Sequence, residues 1–193
     1  MARNPERRTA LVDAAIDVLA HEGARGLTFR AVDARAGVPV GTASNYFANR
    51  DDLFMQAGSR INNRMTPDAA RVEHAMRPEP SRELVTSLMR WLVQRMTDDR
   101  TGYLAMLELR LEATRRPALR ARLTETVRAE FDQNRSLYQD AELPGDADTF
   151  LALHLAMTGL LLEHLTLPDM LSDTTLDRLV DLVVTSVVPA QRA

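Results

Sequence analysis

Thr42, Ser44, Asn45 and Tyr46 place four hydrogen-bonding side chains within five residues. Gly37 and Gly41 precede them, Thr28 and Arg30 stand upstream, and Arg50 follows. An Asn amide can pair in bidentate fashion with an adenine edge, and a Thr methyl packs well on a thymine methyl, both in the DNA major groove. Tyr and Arg suit phosphate contacts, which orient a protein on a duplex without reading its sequence. Gly41 and Thr42 keep the chain slim where a backbone would approach a groove. The residue types leave plainer roles open: Thr28 as a helix cap, Tyr46 as partial core, Arg50 as a solvated cation.

Such groups work only when helices hold them. Asn4-Pro5-Glu6 is a helix start, with an Asn cap, Pro at the first position and an acid near the positive dipole end. Leu11, Val12, Ala15, Ile16, Val18 and Leu19 form a helical apolar stripe that Gly23 ends. Thr28 opens a second helix that turns Val32 inward, and Gly37 supplies a left-handed turn. A third helix is expected over roughly Val40 to Phe47, placing Val40 among the surface candidates. Asn49 caps a fourth, whose first-turn acids Asp51 and Asp52 suit the helix dipole. That helix should weaken at Thr66-Pro67, with a further piece from Asp68 to about Met76. Leu11, Ala15, Val18, Leu19, Leu27, Phe29, Val32, Ala36, Val38, Phe47, Leu53 and Phe54 make a core too small to stand alone.

From Ser81 onward the pattern is a series of amphipathic helices. Stripes run through Leu84, Leu88, Trp91, Leu92 and Met96, then Leu104, Leu107 and Leu111, then Leu119, Leu123, Val127, Phe131 and Tyr138. A very apolar helix covers about Asp148 to Thr166, and Ser172 is read as the cap of a last one. Ligand pockets are mostly apolar with a few placed polar groups. By that criterion Trp91, Tyr103, Met106, Arg110, Tyr138, His154, Met157 and Leu161 are pocket candidates, with core packing or a salt-bridged Arg110 as the alternative. The spacing of His154 and His164, without a local carboxylate, does not suit a metal. Leu151, Leu155 and Leu162, with Thr158 and Gly159 beside them, and Val180, Val183, Val184 and Val187 exceed what one buried face needs. The surplus suggests a two-fold contact with a second copy. No strand alternation, repeat or low-complexity segment stands out, so the class is all-α with about nine helices.

Composition narrows the rest. The chain has 193 residues, 45% of them hydrophobic, with no cysteine and a net charge of -3. All 24 basic residues are Arg, which a GC-rich coding bias explains more simply than phosphate binding does. Residues 1–60 hold eight Arg against seven acids and residues 61–193 sixteen against twenty, so the first third is the less acidic end. No uninterrupted apolar run reaches the length of about 18 residues that a membrane span needs. No secretory signal is expected from the N-terminus, no cofactor is implied, and a cytoplasmic setting is expected. Catalytic signatures such as a paired Glu-x-x-His, a phosphate loop or a nucleophile elbow are missing from the sequence.

The residues Leu27-Thr28-x-Arg30, Ala36-Gly37-Val38-x-x-Gly41-Thr42, Tyr46-Phe47 and Arg50-Asp51-Asp52-Leu53 resemble the DNA-binding domain of TetR-family transcriptional regulators. The resemblance implies a helix-turn-helix domain at 1–50 with its motif at 28–47, a connecting helix at 51–76, and an effector-binding and dimerisation domain at 77–193. It further implies a homodimer, a roughly palindromic double-stranded operator and release by a small molecule of unknown identity. Thr28, Arg30, Val40, Gly41, Thr42, Ser44, Asn45, Tyr46 and Arg50 fall on positions that the family uses toward DNA. Two departures stand out: Ser44 replaces a common Tyr, and Pro39 a common Ser cap. An architectural DNA binder without effector, and more remotely a helical-bundle enzyme, are the competing readings.

Overall fold

The computed structural model describes residues 4–171 and 173–190, and every regular element among them is helical. In chain order these are α1 (Pro5–Gly26), α2 (Phe29–Arg35), a 3-10 turn (Ala43–Asn45), α3 (Arg50–Met65), α4 (Ala69–Ala75), α5 (Arg82–Asp98), α6 (Arg100–Ala113), α7 (Pro117–Asp140), α8 (Ala147–Thr166), a second 3-10 turn (Pro168–Leu171) and α9 (Leu176–Val187). The local chemistry explains most boundaries. Asn4, Thr28, Asn49, Asp68, Asp99, Asp146 and Thr175 each accept a backbone N–H in the first turn of the helix they precede, satisfying donors that the helix itself leaves open. Ser172, read as the last cap, lies outside the described residues. Gly23 interrupts α1 at φ 70°, a left-handed angle that glycine takes without strain.

The third helix expected from Val40 to Phe47 is not there as such. Gly41 sits at φ 93°, a conformation no helix continues through, so only the short turn Ala43–Asn45 follows it.

The described residues form two compact units that are discontinuous in the chain. One comprises Met1–Thr66 with Asp99–Val127, the other Pro67–Asp98 with Arg128–Ala193. In the first unit α1 packs on α2, α3 and α6. Leu11, Ile16, Leu19, Leu27, Val32, Leu53, Phe54, Ile61 and Leu109 lose all contact with solvent, each such side chain contributing about 1.5–3 kcal/mol of transfer free energy. Asp13 ties α1 to α3 through a two-pronged pair with Arg60 at 2.9 and 3.0 Å. The buried side of α6 is Gly102, Ala105, Leu109 and Glu112, not the Leu104-Leu107-Leu111 stripe, and Leu111 is 59% exposed. Small residues let α6 approach α1, while Glu112 is tolerated inside because Arg116 and Arg115 donate to its carboxylate. Hydrogen bonds from Arg116, then Arg115, hold that carboxyl below its ordinary pKa.

In the second unit α5, α8 and α9 pack on one another. Val180 and Val184 of α9 are 1% and 0% exposed, so the sequence-based placement of these two on a contact with a second copy is corrected: they are core of their own chain. Val183 and Val187 are half-buried, and Leu182 is the apolar residue that α9 exposes. On α8, Leu151, Leu155 and Leu162 are exposed. By length and composition α8 is apolar enough to cross a membrane, although it carries Asp148, His154, Glu163 and His164.

Candidate nucleic-acid interface

The segment Pro39–Phe47 is a surface held from behind. Ala43 and Phe47 are buried beneath it and anchor it to the core of the first unit. Asp33 of α2, itself buried, accepts the Gly41 and Ala43 N–H groups at 2.7 Å each. At the other end Arg8 of α1 donates to the Tyr46 carbonyl at 3.1 Å and to the Gln56 amide oxygen at 2.9 Å, with its guanidinium 5.4 Å from the centre of the Phe47 ring. Asp52 accepts the Ala48 N–H at 3.0 Å. Three different helices therefore fix a turn that has little regular structure of its own.

The candidate DNA-contact residues differ in exposure. Val40 is 79% exposed; Gly41, Ser44 and Asn45 are exposed, and Thr42 and Tyr46 half-buried. Ser44 Oγ and Asn45 Nδ2 both donate to the Gly41 carbonyl, at 2.8 and 3.0 Å, and Thr42 Oγ1 donates to the Pro39 carbonyl at 2.5 Å. These bonds hold the side chains in place through the donors, and the amide oxygen of exposed Asn45 remains as an acceptor. Thr28 caps α2 through Ala31 N–H at 3.1 Å. Arg30 is exposed and makes no ion pair among the described residues.

Arg50 is placed differently from the phosphate-gripping role expected of it. Its guanidinium turns inward, donates to the Ala24 carbonyl and lies 5.1 Å from the centre of the Phe54 ring. Ala24 is gripped from its other side as well, because its N–H donates to Glu108 of α6 at 3.1 Å. The joint between α1 and α2 is thus clamped by Arg50 and Glu108 together. Phe54 carries a second guanidinium, that of Arg116, at the same 5.1 Å, and Arg116 also pairs with Asp51 at 2.5 Å. Asp33, Arg8 and Glu108 were not singled out in the sequence, since their partners here lie 8 to 84 residues away, nor was Arg116, whose Asp51 partner lies 65 away. The one local hint was an acid, Asp33, directly beside the inward Val32.

The candidate pocket residues fall into two groups. Tyr103, Met106 and Arg110 lie on α6 in the first unit; Met106 packs against the core there, and Arg110 is exposed. Trp91, Tyr138, His154, Met157 and Leu161 belong to the second. Met157 and Leu161 are buried, and Trp91 has Arg95 against its ring at 4.9 Å. Two rings missed by the sequence reading of the pocket join this group. Phe150 lies 5.4 Å from Tyr138 and 5.3 Å from Phe131, and His154, at the exposed edge, meets Phe131 edge-on at 5.0 Å.

Tyr138 donates its hydroxyl to the Pro144 carbonyl at 2.5 Å. Burial, then the negative charge of Asp146, pushes it up to about 12. A raised tyrosine pKa makes the folded state hold its proton more tightly than the unfolded chain. That contribution is complete below about pH 10, the unfolded value, and is lost as pH rises through about 12. With no Lys and no Cys in the chain, tyrosine is the side-chain type whose ordinary value opens this range. We expect stability to fall between pH 10 and 12, in step with tyrosinate absorbance, and Tyr138→Phe to flatten that limb. An unchanged limb in Tyr138→Phe would assign it elsewhere.

Comparison with known proteins points the same way. The family model described as "Bacterial regulatory proteins, tetR family" matches residues 11–57, and that described as "Tetracyclin repressor-like, C-terminal domain" matches residues 80–190. The nicotine-responsive transcriptional repressor HdnoR of Paenarthrobacter nicotinovorans is 26% identical over 188 residues, spanning 90% of this chain and 95% of that protein. A TetR-family member from Streptomyces coelicolor A3 shares 34% identity over 96% of this chain and all of its own, with a TM-score of 0.69. The multidrug binding protein EbrR complexed with ethidium has the same identity and coverage, with a TM-score of 0.64.

Proposed function

The chain belongs to the TetR family of bacterial regulatory proteins, and from that premise we infer a ligand-responsive repressor that binds a palindromic operator as a dimer and lets go when a small molecule binds. The observation that carries the DNA half is the braced turn: an exposed row of Val40, Gly41, Ser44 and Asn45 over buried Ala43 and Phe47. Thr42, Asn45 and Val40 supply base-edge and methyl contacts. Thr28, Arg30 and Tyr46 supply phosphate contacts, and Arg50 acts from behind by holding the α1–α2 joint. Half-sites on one face of the duplex lie about 34 Å apart or a multiple of that.

Release is proposed to run through α6. Glu108 holds Ala24, and the effector candidates Tyr103, Met106 and Arg110 share its helix. A ligand that shifts α6 by one position of that contact disturbs the joint on which the reading turn depends. Coupling of about 3 kcal/mol, roughly 150-fold in affinity, suffices for such a switch.

The proposed effector is an aromatic molecule, supported by relatives that respond to nicotine or bind ethidium. The exposed stripe of α8 is read as a contact with a second copy and not with a membrane, because its ionisable residues would be costly in lipid.

Selection from a randomised duplex pool tests the assignment directly. The wild-type chain should enrich an inverted repeat, and Asn45→Ala should weaken binding to it by about 1–3 kcal/mol, roughly five- to 150-fold. Ethidium at a hundredfold excess over its Kd should stabilise the protein by about 2.7 kcal/mol and dissociate the complex. Enrichment of no sequence would remove the operator reading; stabilisation by no aromatic probe would favour an architectural DNA binder.

A further inference from the structure

The reading turn begins without a cap of its own. Thr42 occupies the capping position but makes no capping bond; its hydroxyl donates to the Pro39 carbonyl instead. Position 39 is a proline, which offers no side-chain acceptor. The open donors at this end, Gly41 N–H and Ala43 N–H, are both taken by Asp33, one on each carboxylate oxygen at 2.7 Å. The Asp33 backbone joins in, its carbonyl accepting the Val38 N–H at 3.0 Å. At 1% exposure the carboxylate is costly to bury unless it is fully hydrogen-bonded, and two short charge-assisted bonds meet that need.

A negative charge just beneath a surface meant for phosphates does nothing for attraction to DNA, since that attraction comes from cations. Its position therefore serves shape. Gly41 at φ 93° would otherwise leave the turn free to adopt other conformations, and Val40, Ser44 and Asn45 all take their direction from it. We infer that Asp33 is the positioning residue for operator discrimination: a cap lent by α2 that fixes which side chains of the turn meet base edges, while contributing nothing to sequence-independent binding. The inference rests on the regulator reading above, which the same experiment tests separately.

The probes are the duplex that the wild-type chain enriches from a randomised pool and a scrambled duplex of the same composition. Asp33→Ala should weaken binding to the enriched duplex about tenfold or more, in line with the loss of two charge-assisted bonds. Binding to the scrambled duplex should stay within about twofold, because phosphate contacts carry it. Asp33→Asn, with one acceptor oxygen left, should fall between. Amide hydrogen exchange should show protection of Gly41 and Ala43 lost in Asp33→Ala, with the amides of α1 and α3 unchanged. Adding Pro39→Ser to Asp33→Ala supplies a local cap for the Gly41 N–H and should recover part of the discrimination. Undiminished discrimination in Asp33→Ala overturns the inference. So does a parallel loss on both duplexes that Pro39→Ser does not restore. If the wild-type chain enriches nothing, it is the regulator reading that fails.

Discussion

Phe54→Ala should lower the unfolding free energy by about 3–5 kcal/mol and with it DNA binding. The ring is fully buried, so truncation forfeits its transfer free energy and leaves a cavity that a packed core closes only in part. Two guanidinium groups then lose the face they rest on, those of Arg50 and Arg116, each 5.1 Å from the ring centre. Contacts of this kind contribute about 0.5–1 kcal/mol when exposed and more when desolvated. Native domains are stable by only about 5–15 kcal/mol, so the first unit would approach its unfolding threshold. Arg50 matters beyond stability, since it holds the Ala24 carbonyl and with it the joint behind the reading turn. Phe54→Leu keeps most of the volume and should cost much less. Urea titration gives the decisive quantity as a fall in midpoint at unchanged slope. A loss under about 1 kcal/mol in Phe54→Ala would mean that the ring is not the keystone of this core.

How much of this could be read beforehand depends on range along the chain. Helix starts were legible because a cap and its donors lie within three residues, as at Asn49 with Asp52 or Thr28 with Ala31. Nearly all of the expected core is buried for a similar reason: the 3.6-residue period is local, and only Phe29, Ala36 and Val38 stay half-buried. That Gly41, Ser44 and Asn45 lie at the surface agrees with their residue types. The supports of the reading turn were not legible. Arg8, Glu108 and, toward Asp51, Arg116 act on partners 38 to 84 residues away, and Asp33 reaches across a turn to the next segment; no periodicity announces such pairs. Two local rules also failed for identifiable reasons. Helix propensity around Val40 was overridden by a single left-handed glycine. On α9 an apolar surplus carries no direction of its own: Val180 and Val184 both pack inside their own chain.

Direction along α8 leads to the second large effect. Leu151 and Leu155 are one helical turn apart, Gly159 continues the row, and Leu162 closes it. A Cβ placed on Gly159 would meet no atom within 4 Å, so this row is open along its length within one chain. Leu155 is 61% exposed at its centre. A helix row that is apolar, open and free of branched bulk at one point is suited to close approach by the same row of a second copy, related by a two-fold axis. Leu155→Glu puts a carboxylate from each chain into that contact, where it must shed water with no partner. In the separate chain the same carboxylate sits in solvent, so helix content and thermal stability of the monomer should be unchanged. Dimer mass by light scattering should therefore give way to monomer mass. Operator affinity should then drop about 10²–10⁴-fold, because each reading turn must bind without the effective concentration that its mate provides. Leu111→Glu, equally exposed but on α6, should leave the dimer mass intact. A dimer that survives Leu155→Glu would move the two-fold contact off this face. A monomer that still held the operator at full affinity would mean that a single reading turn suffices, and the case for a paired reader would be lost with it.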